Sequence, residues 1–444
     1  MQNLTVEDLL AAADRFVPPR MLVLIGAETV ADVTSGQHVE RMVNVLFTDI
    51  EGYTAMVEAQ PPAATFQFIN DYLSVMEPVV ESHGGVIDKF IGDAIMALFP
   101  DDADSAVECA LELSAALAGF NEGRVAAGQA PIRVGIGINT GMVSVGAIGT
   151  GRRLEITVLG DTVNLAARLE SATRAYGVQM LVSEGLMYAL ARPQAQATRF
   201  VDRIRVKGKL RPVSVYEVFG QEAAAQRELK LIQRSDFELG VVYYHSRHCE
   251  EALEIFERLF LDNPHDGPIQ VYLRRCKEFL AGGEFHGTDE LAGPIEWQHG
   301  YEIGFDEIDD QHREWCKRLN DLIGHLRTGR QQGLLELFQY LRSYIEWHFT
   351  KEEALMDRYD YPFARQHKQE HARYAQELEQ FNASLLQGDH APLLLTFRAN
   401  LFLVDWFINH TTGTDRHLGH FLAAQDAGRD AASHGPSPGA VAAG

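Results

Sequence analysis

Seven side chains of metal-ligating type lie toward the C-terminal end of this chain: His312, His348, Glu352, His367, His371, His410 and Asp415. A lone histidine is followed by HxxxE at 348–352, HxxxH at 367–371 and HxxxxD at 410–415. Residues i and i+4 sit one turn apart on the same face of a helix, so the first two motifs each aim two side chains at one point. A single HxxxH pair is ordinarily a solvated helix face. Four spaced elements in this order are far harder to obtain by chance. Five imidazoles and two carboxylates satisfy two borderline transition-metal ions, with the carboxylates bridging and the imidazoles capping. That is the requirement of a di-iron centre in a four-helix bundle. The i, i+5 spacing of His410 and Asp415 does not stack on an ideal helix, and Thr411, Thr412 and Gly413 between them are expected to loosen the turn.

A second set of reactive types lies in the N-terminal half. Asp49 follows the apolar run VNVLF, and Asp93 sits at a Gly-Asp turn between two apolar runs, as in a hairpin. One acidic residue ending a strand is usually a cap or turn residue. Two carboxylates on adjacent strands can instead clamp a pair of divalent cations, since Mg²⁺ prefers hard oxygen ligands and phosphate. Lys89 lies four residues before Asp93; Thr157 lies seven before Asn164, and Arg168 follows Asn164 by four on the same helical face. The pattern is that of a nucleotide site.

The elements that must hold these residues are legible in outline. VNVLFTDI, GGVIDKFIGDAIMALF and IRVGIGINTGMVSVGAIG read as β-rich; TFQFINDYLSVMEPVVESHG, ADSAVECALELSAALAGF and GDTVNLAARLESATRAYG read as helical. The expected order is a helical lead-in over 1–40, stopped by Pro18–Pro19, then an α+β domain over 41–220. Residues 222–283 read as helices alone, either a plain linker or one tetratricopeptide unit with a partial neighbour. A unit of that kind is rarely stable by itself and is expected to pack on a flanking domain or a second chain. A Gly-rich hinge over 284–297 precedes the bundle of 298–422, and 423–444 is too poor in apolar bulk to order. The glycines of GIGINTGMVSVGAIGTG lack the strand–GxGxxG–helix context of a dinucleotide fold and the GK[ST] of a P-loop. They read as glycines of turns between strands.

Composition bounds the rest. With 444 residues, two or three domains are expected. A hydrophobic fraction of 46% and a charged fraction of 23% are those of a globular protein. A net charge of −23 argues against nucleic acid and anionic membrane surfaces as partners. No apolar stretch approaches the roughly 20 residues of a membrane span. No CxxC pairing links the four cysteines, and no export signal is visible, so a cytoplasmic protein with free thiols is expected.

Residues 298–422, opening with GYEIGFDEIDDQHREW, resemble the hemerythrin family. The resemblance implies that His367, His371 and His410 hold one iron and His312 and His348 the other, with Glu352 and Asp415 bridging. The second iron would keep an open position for dioxygen or another small ligand. Residues of about 15–220 resemble the class III nucleotidyl cyclases, which implies a ferredoxin-like α+β domain. In that family the two metal aspartates fall on Asp49 and Asp93, binding two Mg²⁺ or Mn²⁺. The purine-selecting pair falls on Lys89 and Thr157, a combination favouring ATP; guanylyl cyclases carry Glu and Cys-type residues there. Asn164 orients the ribose and Arg168 stabilises the transition state. Lys207 in RVKGK matches the triphosphate-binding lysine, with Lys209 close enough to share the register.

The resemblance further implies a head-to-tail homodimer, with metal aspartates from one chain facing Asn164 and Arg168 of the other. The resulting expectation is a multidomain adenylate cyclase regulated by a di-iron domain that senses oxygen, iron or redox state. Its alternatives are a guanylate cyclase of the same architecture, or a di-iron oxygen-binding or storage protein whose cyclase-like segment only dimerises it.

Overall fold

Pro19 begins a helix. In α1 (Pro19–Ile25) the proline occupies the first turn, where a missing N–H costs no hydrogen bond, and Gly26 closes the helix at φ +78. The computed structural model describes residues 13, 16–58, 60–100, 102–150, 152–205, 212–287, 294–328, 333–387 and 392–433. The lead-in helix expected before Pro18 lies almost wholly outside them.

Strand β1 (His38–Ile50) follows, and its residues from Val43 to Thr48 are all buried. A strand covered on both faces has this unbroken apolar character. Val43, Val45 and Phe47 pack with Met21, Leu22 and Ile25 of α1. The chain then passes through α2 (Tyr53–Glu58) and α3 (Pro62–Ser82) into the hairpin β2 (Val86–Ile91) and β3 (Ala94–Phe99), and through α4 (Ala103–Ala126) into β4 (Val134–Thr150). The strand order β2-β3-β1-β4 within the βαββαβ run is ferredoxin-like, with all three of these pairings antiparallel.

Strand β5 (Arg153–Leu159) pairs with the far end of β4, and α5 (Asp161–Tyr176) then returns across the sheet. The glycines of β4 are not turn residues, contrary to the sequence expectation. Gly135 and Gly137 lie inside the strand directly beneath α5. A Cβ on Gly137 would fall 2.1 Å from the Glu170 amide nitrogen and 2.4 Å from the Ala166 carbonyl oxygen. Beyond β4 the sheet continues with β6 (Met180–Ser183), the short helix α6 (Glu184–Ala189), and the antiparallel strands β7 (Thr198–Ile204) and β8 (Val213–Val218), in the order β6-β8-β7.

Three helices, α7 (Ala224–His245), α8 (Cys249–Asp262) and α9 (Gly267–Leu280), pack on one another and on the β7–β8 edge. Buried charges fasten them. Arg199 of β7 donates to Glu217 of β8 at 2.6 Å and to Asp266 at the start of α9 at 2.7 Å. Lys230 of α7 donates to the same Glu217 at 2.7 Å. The helical segment therefore packs on its flanking domain, and the compact unit runs through it, Met1–Asp289.

The second compact unit, Glu290–Gly444, is helical. It contains α10 (Asp306–Arg327), α11 (Leu334–Arg358), α12 (Ala364–Gln387) and a final helix in three α-helical pieces. Those pieces are α13 (Pro392–Ala399), α14 (Asp405–His410) and α15 (Arg416–Ser433), joined by π-helical turns at Asn400–Val404 and Thr411–Asp415. On α11 the buried stripe Phe338, Leu341, Ile345, His348, Phe349, Glu352 and Met356 has the i+3/i+4 spacing of a core-facing helix. Histidine and glutamate sit in it like core residues. Among the described residues no helix is long and apolar enough to cross a membrane, and the four cysteines are free and buried.

Arg199 offers a direct test of the helix-to-sheet fastening. Removing a guanidinium that neutralises two buried carboxylates leaves both charges without it, so Arg199→Met is expected to lower stability by about 3–5 kcal/mol in urea denaturation. A loss below about 1 kcal/mol, the scale of a surface ion pair, would show that the cluster does not fasten the helices.

Candidate functional site

Asp49 and Asp93 meet at the end of β1. The Gly92 turn, at φ +67, places Asp93 so that its Oδ2 accepts the Ile50 amide at 3.0 Å. Burial and the facing Asp49 carboxylate push the Asp93 pKa up to about 6. A third acid joins them. Glu170 of α5 is pushed up to about 7 by its burial and then by the Asp49 charge. Arg174 on the next turn of α5 pairs with Asp49 and lies 3.5 Å from Glu170. One guanidinium cannot neutralise three crowded carboxylates, and hard oxygen donors with excess negative charge are the donor set a divalent cation of the Mg²⁺ type accepts. These residues fit such a group.

Lys89 and Thr157 come from strands that are not neighbours in the sheet, β2 and β5, yet the ammonium donates to the Thr157 hydroxyl at 2.7 Å. It also donates to Glu155 at 3.3 Å and lies 3.4 Å from Asp88. A β-bulge at Asp88, between the Ile87 and Lys89 pairings, turns the lysine toward β5. The two residues thus form one polar contact across the gap between β2 and β5.

Asn164 and Arg168 are exposed on α5, one turn apart. The buried stripe of that helix, with Ala166, Leu169, Glu170 and Thr173, faces the sheet. Its start is pinned by Thr162, which donates to the Met142 carbonyl at 2.8 Å. Among the described residues no hydrogen bond or ion pair joins Asn164 or Arg168 to either aspartate or to the Lys89–Thr157 pair. Within one chain the structure pairs Asp49 with Asp93 and Lys89 with Thr157, and turns Asn164 and Arg168 outward. Lys207 and Lys209 lie outside the described residues.

In the bundle all seven expected ligand types are brought together and all are buried. Ligand atoms of Glu352, His367, His371, His410 and Asp415 lie within 4.8 Å of one another. Asp415 reaches His367 at 3.0 Å, His410 at 2.9 Å and, with its other oxygen, His312 at 3.3 Å. Glu352 lies 3.4 Å from His371, 3.6 Å from His348 and 3.8 Å from His367. Each carboxylate thus sits between the histidines expected for one ion and those expected for the other. The π-helical turn at Thr411–Asp415 supplies the loosening that the i, i+5 spacing demanded, because its i→i+5 ladder returns the chain to the same face after five residues.

Desolvation drives His312, His348, His367 and His371 toward the neutral form, His312 down to about 4. Neutral imidazole is the ligand form. Both oxygens of Glu352, both ring nitrogens of His312 and Nε2 of His348 are buried without a hydrogen-bond partner. Buried polar atoms are ordinarily satisfied, so a cluster of orphaned donors fits a group that completes them, and these residues fit a metal pair.

Sequence reasoning missed the side chains that orient these ligands. Glu370 Oε2 lies 2.8 Å from His410 Nδ1 and accepts from Thr414 at 3.0 Å; Glu353 lies 3.0 Å from His371 Nδ1; Gln311 lies 2.8 Å from His348 Nδ1. Each is the immediate chain neighbour of a ligand (QH, EE, EH), and that adjacency was the available signal. Phe349 stacks on His371 at 3.8 Å and Trp406 on His410 at 4.2 Å, walling the cluster on its apolar side.

Comparison with known proteins finds a family match over each of the two segments that carry these residues. Residues 37–220 match the adenylate and guanylate cyclase catalytic domain, and residues 303–422 match the hemerythrin HHE cation-binding domain. An adenylate cyclase of Anabaena cylindrica is 41% identical over 211 residues, covering 46% of this chain and 42% of that protein. A terminal-differentiation-specific adenylate cyclase of Dictyostelium discoideum is 35% identical over 283 residues, covering 61% of this chain and 13% of that one. The crystal structure of the adenylyl cyclase CyaB from P. aeruginosa is 31% identical, covers 42% of this chain and 97% of its own, and has a TM-score of 0.38. The chain thus spans less than half the length of these two curated relatives.

The orienting carboxylate Glu370 gives the sharpest test of the bundle site. Losing such a partner typically costs about 10–100-fold in metal affinity. Glu370→Gln is expected to weaken Fe²⁺ or Co²⁺ binding by that factor in competition with a chelator, with helical content unchanged. Wild-type affinity in the variant would show that His410 does not need this partner.

Proposed function

We propose that this chain, which carries an adenylate/guanylate cyclase catalytic domain and a hemerythrin HHE cation-binding domain, is an adenylate cyclase governed by an iron-binding bundle. The assignment divides it into a cyclase domain at 41–220, a helical connector at 222–283, a hinge at 284–297 and a di-iron bundle at 298–422. The observation that carries the reading is the division of labour within one chain. Asp49 and Asp93 form an acidic pair at one place, while Asn164 and Arg168 stand exposed on α5 with their side chains turned outward. Two copies arranged head to tail complete two equivalent sites, each with the aspartates of one and the helix of the other.

In each site the 3′-hydroxyl of ATP attacks the α-phosphorus of the same molecule. The new P–O3′ bond forms, the bond to the bridging oxygen of the β-phosphate breaks, and pyrophosphate leaves with 3′,5′-cyclic AMP as product. Asp49 and Asp93 would hold two divalent cations, which would supply charge neutralisation and a more acidic hydroxyl. Lys89 and Thr157, already in contact, present a donor and a hydroxyl to the adenine edge. Asn164 holds the ribose. Arg168 offers a planar, permanently charged fork to the phosphate oxygens as charge builds. Positioning is most of the catalysis.

In the bundle, His367, His371 and His410 would hold one iron and His312 and His348 the other, with Glu352 and Asp415 as ligands to both. Two irons there would supply binding of a small ligand such as dioxygen at an open position. The chain joins that site to the cyclase through the connector, and regulation requires two states of different ligand affinity.

Asp93→Ala and Arg168→Ala are each expected to abolish Mn²⁺–ATP turnover. An equal mixture should regain about a quarter of wild-type activity, because half of randomly paired dimers hold one intact site of two. No activity in the mixture would refute the shared site, and preferred turnover of GTP over ATP would refute the substrate. For regulation, cyclic AMP formation is compared in iron-free chain, in ferrous chain held anaerobically and in ferrous chain exposed to air. Coupling of the usual size changes the rate by about 5-fold or more between states, and equal rates in all three would end the regulatory reading.

A further inference from the structure

Helix α5 does not end in solvent; it ends in the connector. Its last residue, Tyr176, hydrogen-bonds through its hydroxyl to Asp202 of β7. Asp202 is only 2% exposed, and its carboxylate is shared among three helices. Besides Tyr176 of α5, it is met by His245 Nε2 at the end of α7 at 2.8 Å and by Arg275 Nη1 of α9 at 2.6 Å. Arg275 also donates to the Tyr176 hydroxyl at 3.4 Å, and its guanidinium lies 5.6 Å from the Tyr176 ring centre and 5.3 Å from that of Tyr272. Tyr272 in turn donates to the Val201 carbonyl at 2.9 Å. Burial alone would raise the Asp202 pKa, but the His245 contact and the Arg275 charge hold it well below the usual carboxylate range. The carboxylate is an ionised, fully occupied hub.

The backbones meet at the same point. Gly177 closes α5 at φ +65, and Gly267 opens α9 directly against it. A Cβ on Gly267 would lie 2.0 Å from the Tyr176 carbonyl oxygen, where real Cβ atoms stay beyond 3.0 Å. The negative C-terminal end of α5 is thus set against the positive N-terminal end of α9, a favourable pairing of helix dipoles.

We infer that Asp202, Arg275 and Gly267 are positioning residues, which fix the end of α5 and, through that helix, the placement of Asn164 and Arg168 against the partner's acidic pair. The inference rests on the shared-site reading above and names the place where the connector acts on catalysis. A movement of α9 relative to the sheet is delivered to the one helix that carries the transition-state arginine. Nothing in the hub touches nucleotide.

Gly267→Ala, Arg275→Ala and Asp202→Asn, each in the full-length chain, test it. Gly267→Ala forces α9 and α5 apart by about 1 Å, a displacement that costs on the order of a hundredfold when it reaches reacting groups. The loss is expected in kcat, with KM for ATP within about twofold, and Arg275→Lys should recover part of the Arg275→Ala loss. Complementation separates positioning from a general loss of structure. Each variant should regain activity when mixed with Asp93→Ala, whose α5 is undisturbed, and none when mixed with Arg168→Ala, whose defect is in the same half of the site. Variants that complement neither partner, or both alike, or that keep wild-type kcat, overturn the inference. If Asp93→Ala and Arg168→Ala fail to complement each other, the shared site falls, and this inference falls with it.

Discussion

The structure of the first unit depends on the bareness of strand β4 beneath helix α5. At Gly135 and Gly137 there is no side chain; the helix backbone lies where a Cβ of Gly137 would be, and the Thr173 hydroxyl where one of Gly135 would be. That contact fixes how far α5 stands above the sheet. Three consequences follow from one helix at one height: Asn164 and Arg168 face outward, Arg174 reaches the Asp49 carboxylate and Glu170, and Tyr176 reaches Asp202. A helix raised by the thickness of a methyl group would lose register with all three. The strand gives up β-propensity and backbone rigidity at those glycines to obtain this approach.

The two acidic clusters of the chain solve different problems with related means. Around Asp49 and Asp93 the donors are oxygens alone, partly open to solvent, the environment that hard cations and phosphate share. Around Glu352 and Asp415 the donors are mostly imidazoles, wholly buried and walled by Phe349 and Trp406. Desolvation drives His312, His348, His367 and His371 toward the neutral form, while the Asp415 and Glu370 carboxylates hold the His410 pKa up. Burial of this kind is costly unless the charges are met, so this core is tuned to borderline transition metals.

Much of this was legible in the residue order. HxxxE and HxxxH gave their helices and facing directions because the 3.6-residue period is a local property. The α+β alternation of the first domain could be read from its apolar stretches for the same reason, while its ferredoxin-like order is what the family resemblance implies. The parts that escaped are those set by residues distant in sequence. Arg174 and Glu170 lie on the helix already identified, but nothing local says that they meet Asp49, 125 positions away from Arg174. The glycines of β4 were assigned to turns because a glycine beneath a crossing helix and a glycine in a bend look alike until the helix is placed. The segment carrying Lys207 lies outside the described residues.

The π-helical turn at Thr411–Asp415 governs more than one ligand. Beyond it, Leu418 and Leu422 pack with Met356 and Tyr361 in a small apolar seam. Relaxing the turn to ordinary α geometry with all five residues kept would swing everything downstream by about 100° around the axis. Asp415 would leave the ion pair's reach, and the two leucines would leave their seam together. The widened turn is therefore a phase setter for the whole C-terminal helix, and it ties the oily closure of the bundle end to the inner carboxylate. Losing the wide turn while keeping its residues would be felt at both places at once.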